Sequence, residues 1–233
     1  MTALHLHPAV AAAFPATRIA AVTARGVRGT EPWPAVAAAL AELESLAAAG
    51  SWRPADEHDP RIAAWHAAYR AFGTNPRRVR PSVDALGRRL ARQGALPRIN
   101  PAVDCYNAVS VRHALPAGAF DLAAVDGDLV IRCADGTEEF TPLGEPGTVE
   151  RPKPGEVVYT DGTGVLTRHW NHRDAHRTRV TEHATDIVLV LETLHPDPSQ
   201  PATAAAELVE LLTPHCATVT VHHLDPEHPR TDL

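Results

Sequence analysis

Three features of the sequence predict an α+β fold. Amphipathic helical repeats are concentrated before Pro97, Asp-Gly turn signals sit in the middle of the chain, and a strand–helix–strand run closes it. No internal repeat and no regular alternation of strand and helix is present, so a doubly wound sheet is not expected. The expected architecture is mixed sheets with packed helices, in one domain over residues 1–233.

Residues 19–22 are a short apolar run before Thr23, Ala24 and the pair Arg25-Gly26, which predicts a buried strand and its exit turn. Residues 33–49 predict a helix: Pro34 suits a first turn, Leu40, Leu43 and Leu46 repeat at helical spacing, and Gly50 stops it. A second helix over 61–72 places Ile62, Trp65 and Tyr69 on one face. A third spans 82–93, with Ser82 as cap, Val83, Leu86 and Leu90 as its apolar stripe, and Gly94 at its end. After Pro97 the character changes. Residues 103–113 are apolar and helical. Strands at 129–133 and 138–141 flank Asp135-Gly136, a hairpin signal. Residues 145–154 hold prolines at 146, 152 and 154 and predict a loop. A second hairpin, 157–160 with 164–167, turns at Asp161-Gly162. Residues 187–194 predict an apolar strand, 202–212 a helix, 217–223 a last strand and 229–233 a frayed tail.

Composition narrows the function classes. The chain has 233 residues, 44% hydrophobic and 21% charged, an ordinary globular balance with room for a sizeable core. A net charge of -6 argues against a generally basic nucleic-acid binder, although a net value can hide a local patch. Cys105, Cys133 and Cys216 are odd in number and widely spaced, which gives neither a disulfide framework nor a metal knuckle and points to reduced thiols in a cytoplasmic protein. No run approaches the roughly 18 apolar residues that span a bilayer. Residues 1–10 carry His5 and His7 but no basic region before an apolar core, unlike a signal peptide. No Walker loop, Rossmann glycine pattern or nucleophile elbow is present.

Four constellations could carry chemistry. Arg61, Arg70, Arg77, Arg78, Arg80, Arg88, Arg89, Arg92 and Arg98 face a single acid, Asp84, within their own stretch. Arginine forks suit phosphate oxygens, and a solvated helix face is the plain alternative. Arg98, Asn100, Asp104 and Asn107 are polar groups among apolar neighbours, and Asp104 and Asn107 share a helix face. Asparagines in such places commonly satisfy nearby backbone groups. The segment 168–176 holds His169, His172 and His176 with Trp170 and Asn171. No carboxylate or cysteine is convincingly placed to complete a zinc site, so the segment reads as a pocket wall or a surface turn. Glu192 lies inside the apolar run 187–194, where a carboxylate is costly unless it has partners or faces a cavity; a water-facing edge is the alternative. His222, His223 and His228 read as surface residues.

In this order, these pieces resemble the B3/B4 domain family, the tRNA-editing module of the phenylalanyl-tRNA synthetase beta subunit. The resemblance is strongest over 69–194. Arg98-Ile-Asn-Pro-Ala-Val-Asp-Cys-Tyr-Asn107 is similar to the module's asparagine and aspartate motif. Leu115-Pro-Ala-Gly-Ala-Phe-Asp121 is similar to its proline, histidine-alanine-phenylalanine-aspartate segment, and Leu191-Glu192 to its strand-borne pocket glutamate. Tyr69-Arg-Ala-Phe-Gly-Thr-Asn-Pro76 and Arg80-Pro-Ser-Val83 resemble free-standing members.

The resemblance implies a B3/B4-like fold and an aminoacyl-tRNA deacylase acting in trans by water attack on the ester. It implies Glu192 and Asn107 as catalytic candidates. Arg98, Asn100, Asp104, Gly118, Trp170 and Asn171 would bind substrate, and Arg77, Arg78, Arg80, Arg88, Arg89 and Arg92 would bind tRNA. Aminoacylated tRNA is the expected partner, with its amino-acid moiety in the pocket and with no cofactor, metal, membrane or DNA. One departure bears on this: Gly118 stands where the synthetase module has a histidine, and His113 is five residues too early to replace it. That departure keeps two other functions open, a non-catalytic amino-acid or tRNA-binding module and a small-molecule hydrolase or transferase using the same pocket.

Overall fold

The computed structural model describes residues 2–197 and 199–233. In chain order the elements are β1 (Ala3–Leu6), α1 (Pro8–Ala13), β2 (Arg18–Arg25), α2 (Pro34–Ala48), α3 (Pro60–Ala71), α4 (Ser82–Gln93), α5 (Pro101–His113), β3 (Ala117–Asp121), β4 (Leu129–Cys133), β5 (Val157–Thr160), β6 (Val165–Arg168), β7 (Arg173–Asp174), β8 (Asp186–Thr193), α6 (Gln200–Leu212), β9 (Thr218–Leu224) and β10 (Arg230–Asp232). The mixture is α+β. Helix boundaries follow local chemistry. Asp59 and Asn100 cap α3 and α5 by accepting from the backbone N–H groups of Arg61 and Val103, each ahead of a proline in the first turn. Gly94 ends α4 at φ 72°, where a Cβ would be strained.

Two sheets share the core. One has the order β3-β8-β2-β9 and the other β10-β1-β4-β5-β6-β7. Strand β8 pairs antiparallel with β2 and β3 along nearly its whole length. Its alternate residues Ile187, Leu189 and Leu191 pack against α2, α5 and α6. Val188 and Val190 face the other way, into a cluster with Leu4, Ile131 and Tyr159 of the second sheet and with Trp65 and Tyr69 of α3. Both faces of β8 are therefore covered, which is why its sequence is continuously apolar rather than alternating. Burial of each such Val, Leu or Ile contributes about 1.5–3 kcal/mol. By period-2 alternation Glu192 shares the face of Val188 and Val190, so its carboxylate is aimed between the sheets.

The structure corrects three readings. Asp135-Gly136 does not join two adjacent strands. The Glu138 carboxylate accepts from the N–H groups of Asp135 and Gly136 and pairs with Arg132, folding the turn back on itself. Strand β4 instead pairs with β1 and β5, and residues 138–141 contribute only a bridge from Phe140 to Glu150. The tail is not frayed: β10 pairs antiparallel with β1 and supplies hydrogen bonds that a four-residue edge strand needs. The third is an omission. Strands β1 and β3 carry too few β-branched residues, in segments too short, to stand out in the sequence. Cys105, Cys133 and Cys216 are free thiols. Among the described residues no helix is long and apolar enough to cross a membrane.

Candidate functional site

Glu192 is 1% exposed and is held by side chains from different elements. Tyr159 of β5 donates its hydroxyl to Oε1 at 2.6 Å, and the Trp170 indole N–H donates to the same oxygen at 2.7 Å. Asn171 donates to Oε2 at 3.3 Å. Tyr69 of α3 then donates to Oδ1 of Asn171 at 2.8 Å, which fixes the orientation of that amide. Burial pushes the Glu192 carboxyl up to about 7 against the three donors, which favour the anion, and the nearby charge of Asp174 adds to the rise. Burial likewise raises both tyrosines well above their ordinary range.

The turn between β6 and β7 carries Trp170 and Asn171, and it is strained. His169 and Trp170 have φ of 50° and 68°, a region that side chains with a Cβ avoid. Glu156 holds the turn in place. This buried carboxylate accepts from the Arg168 guanidinium through both oxygens and from the His169 backbone N–H. Burial raises the Glu156 carboxyl, but the Arg168 hydrogen bonds and the His169 backbone N–H outweigh it and hold it below its usual value. The Trp170 backbone N–H donates to the Val157 carbonyl. From outside, the α3–α4 connection braces the turn. Thr74 meets His169 Nδ1 at 2.9 Å, Ser82 N–H donates to the Asn171 carbonyl, and His172 Nδ1 meets the Arg80 carbonyl.

These groups enclose a cavity of about 40 Å³. Tyr159, Thr167, Trp170, Asn171 and Glu192 form its buried floor, and Ser82, Gly118, His172 and Asp174 its partly exposed mouth. Gly118 pairs with Val190 and so faces the cavity beside Glu192. A Cβ there would meet only Val190 Cγ2, at 3.9 Å. Asp174 accepts from Thr167, and burial raises its carboxyl to about 6.

Of the candidate site residues, Gly118, Trp170, Asn171 and Glu192 meet at this cavity. Arg98, Asn100, Asp104 and Asn107 do not line it. Arg98 pairs with Glu44, Asn100 caps α5 and donates to the Val180 carbonyl, Asp104 accepts from the Ile99 N–H, and Asn107 is buried within α5. Arg98, Asn100 and Asp104 spend polar atoms on Glu44, on Val103 and Val180, and on Ile99, and none of the four residues is on the wall of this cavity. His113 pairs with Glu207, away from the cavity. Reading by sequence misses Tyr159, Ser82 and Tyr69 as site residues, while it places residues 169–174, Asp174 among them, on a pocket wall. Asp174 lies inside the histidine segment, and Tyr159 is the one polar-tipped aromatic of its strand.

The arginine stretch is less free than its sequence suggests. Arg61, Arg88 and Arg98 pair with Asp59, Glu57 and Glu44, acids that precede each of them in the chain. Arg80 and Arg88 both hold Asp84, which is fully buried. Arg70, Arg77, Arg78, Arg89 and Arg92 are exposed or half-buried with no carboxylate partner among the described residues. Arg70 and Arg77 line an open hollow with Thr74 and Asn75. Among the described residues no three His, Cys, Asp or Glu side chains are grouped so that they could hold a metal ion. His169 is driven down to about 4, chiefly by burial.

Comparison with known proteins agrees with this geometry only at the level of family. The chain is 37% identical over 131 residues to the phenylalanine–tRNA ligase beta subunit of Nocardia farcinica (strain IFM 10152), covering 56% of this chain and 15% of that subunit. The chain thus matches a small part of the subunit's length. The crystal structure of an N-terminal fragment of the phenylalanyl-tRNA synthetase beta subunit from Pyrococcus horikoshii aligns with a TM-score of 0.49 at 13% identity, over 94% of this chain and 53% of the fragment. The B3/4 domain model matches residues 64–217, well over half of the chain and including every residue of the Glu192 network, and the chain belongs to the B3/4 domain family.

Proposed function

We propose that the chain is an aminoacyl-tRNA deacylase acting in trans, with the Glu192 cavity as the end that receives the amino-acid moiety. The observation that carries the reading is a buried carboxylate fixed by Tyr159, Trp170 and Asn171 on the wall of a cavity, in a chain of this family. A carboxylate poised near neutral pH can accept a proton from an attacking water or grip a polar group of the substrate. Asn107 lies off the cavity, so the catalytic weight rests on Glu192. The Ser82 Oγ makes no hydrogen bond to a base among the described residues, which favours direct water attack over a covalent intermediate.

Cavity size bears on the substrate. About 40 Å³ takes one or two water-sized groups, far below the ~300 Å³ of a pocket for a whole ligand. An aromatic ring does not fit. A small amino acid, or only the polar head of a larger one, does. Exposed Arg77 and Arg78 lie on the connection that braces the site turn, Arg70 sits in the last turn of α3 beside it, and the three suit the phosphates of an RNA end.

The test is deacylation of a panel of mischarged tRNAs. At least one should lose its amino acid faster with protein than without, and Glu192→Gln should slow that loss on the order of 10²-fold. A panel in which no ester is hydrolysed above the spontaneous rate overturns the reading. One observation favours a non-catalytic amino-acid binder: Glu192 Oε1 already accepts two hydrogen bonds, which suits recognition better than proton transfer. Binding of aminoacyl-tRNA without turnover would select that alternative.

A further inference from the structure

The acceptor pattern of the Glu192 cavity has a charge and a valence. Glu192 Oε2 holds only the 3.3 Å hydrogen bond from Asn171. Asp174 receives Thr167 on Oδ1, and its Oδ2 has no protein donor among the described residues. The Ser82 Oγ is enclosed without a hydrogen-bond partner among the described residues. These oxygens come from β8, β7 and the first residue of α4, and all three residues line the same cavity. Among the described residues no lysine or arginine side chain lines it.

We propose that this cavity is a binding site for a primary ammonium group. An ammonium carries three donors, no acceptor and a positive charge, whereas a hydroxyl offers one donor and no charge. Three acceptors, two of them carboxylates, match the first and not the second. In size an ammonium is close to one water, which the cavity of about 40 Å³ accepts. Two carboxylates enclosed together repel each other, and a cation between them relieves that repulsion. The titratable groups facing the site are Tyr159 from β5, Asp174 from β7, Glu192 from β8, His172 from the turn and Tyr69 from α3 beyond Asn171. Burial lowers His172, which favours its neutral form. The positive end of α4 opposes a cation here, and the Glu192 and Asp174 carboxylates answer it. The inference rests on the deacylase reading only in identifying the amine as part of an aminoacyl group, either its α-ammonium or a side-chain ammonium.

The test reads the Trp170 indole N–H, which donates to Glu192, by two-dimensional NMR of the full chain at neutral pH. Three probes are titrated: alaninamide (α-ammonium only), Nα-acetyl-lysinamide (side-chain ammonium only) and Nα-acetylalaninamide (neither). At least one ammonium probe should shift the signal saturably and the third should not; the probe that acts identifies the source. Glu192→Gln should weaken binding about tenfold or more, as loss of a charged hydrogen bond does. Should that variant fail to fold, Ser82→Ala should still weaken it several-fold. A shift by Nα-acetylalaninamide equal to that of the ammonium probes, or none with either ammonium probe, overturns the proposal. The probes hold neither ester nor RNA, so ammonium binding without tRNA hydrolysis sinks only the deacylase reading, and hydrolysis without ammonium binding sinks only this one.

Discussion

The start of α5 and the wall around Glu192 both set polar groups among apolar neighbours, and they differ in where their hydrogen bonds go. At α5, Asn100 accepts from Val103 and Asp104 accepts from Ile99, partners three and five residues away. At Glu192 the partners are Tyr159, Trp170 and Asn171, 21 to 33 residues away, and Tyr69 stands 102 residues from Asn171. Local bonds complete a helix end, which needs acceptors for its first N–H groups. Distant bonds assemble a fixed carboxylate beside a cavity, which no helix or strand requires. Spacing of polar residues in sequence does not separate the two cases, and neither does reach alone, since Asn100 also donates to Val180 and Arg98 to Glu44; convergence of distant donors on one buried carboxylate does.

The largest effect should come from the ion pair that holds the site turn. Glu156→Ala leaves the enclosed Arg168 with Glu150 as its remaining carboxylate and should cost about 3 kcal/mol in denaturant unfolding, the low end for a broken buried pair. A loss below about 1 kcal/mol would mean that Arg168 finds water readily and that the turn is not held as described.

Next is the pH dependence of stability. Glu192 binds its proton more tightly in the folded chain, up to about 7 from an ordinary 4.5. Its contribution is fully present below about 4.5 and is lost as pH rises through about 7. At about 1.36 kcal/mol per pH unit this is on the order of 3 kcal/mol. Asp174, raised to about 6, acts in the same direction. Between about pH 5 and about pH 6.5 His169, lowered to about 4, acts in the opposite sense, so the contribution is read as a difference: the stability of the parent relative to Glu192→Gln should fall as pH rises from about 5 to about 8. An unchanged slope in that variant would show that Glu192 does not titrate as described.

Asn100→Ala sharpens the contrast from the other side. It should cost about 1 kcal/mol of stability, as loss of a helix cap does, and leave the deacylation rate of the folded protein unchanged. A large loss of rate at full folding would put the α5 start back into the site. Gly118→Ala should change stability by less than about 0.5 kcal/mol, because its Cβ meets only Val190, yet it narrows the cavity beside Glu192 and should weaken capture of an amino-acid head.

The smallest effect on folding belongs to Arg77→Ala with Arg78→Ala. Stability should be unchanged, and the salt dependence of RNA binding should flatten by roughly 0.7 for each phosphate that the pair no longer neutralises. The same change at Arg88 would be a poor test, since Arg88 answers the buried Asp84. Salt dependence identical to the parent would remove this connection from any RNA-binding surface.

Strong local signals were enough to read most elements from the chain alone. The spacing of Val83, Leu86 and Leu90, with Gly94 after them, marks α4 to the residue, and Asp161-Gly162 marks the β5–β6 turn. Glu192 also stands out as an anomaly, because a carboxylate in an apolar strand is costly wherever that strand lies. Folding alone settles the pairing of β10 with β1, the failure of Asp135-Gly136 to make a hairpin, and the company Glu192 keeps. Tyr159, Ser82 and Tyr69 carry no local mark, since each reads as an ordinary strand, cap or helix residue. What joins them is the stacking of one sheet on the other, and which distant side chains meet across that interface depends on register and twist rather than on neighbours in the chain. The arginine stretch shows the same limit: Glu44, Glu57 and Asp59 neutralise part of it from preceding segments, and only the folded chain brings those charges together.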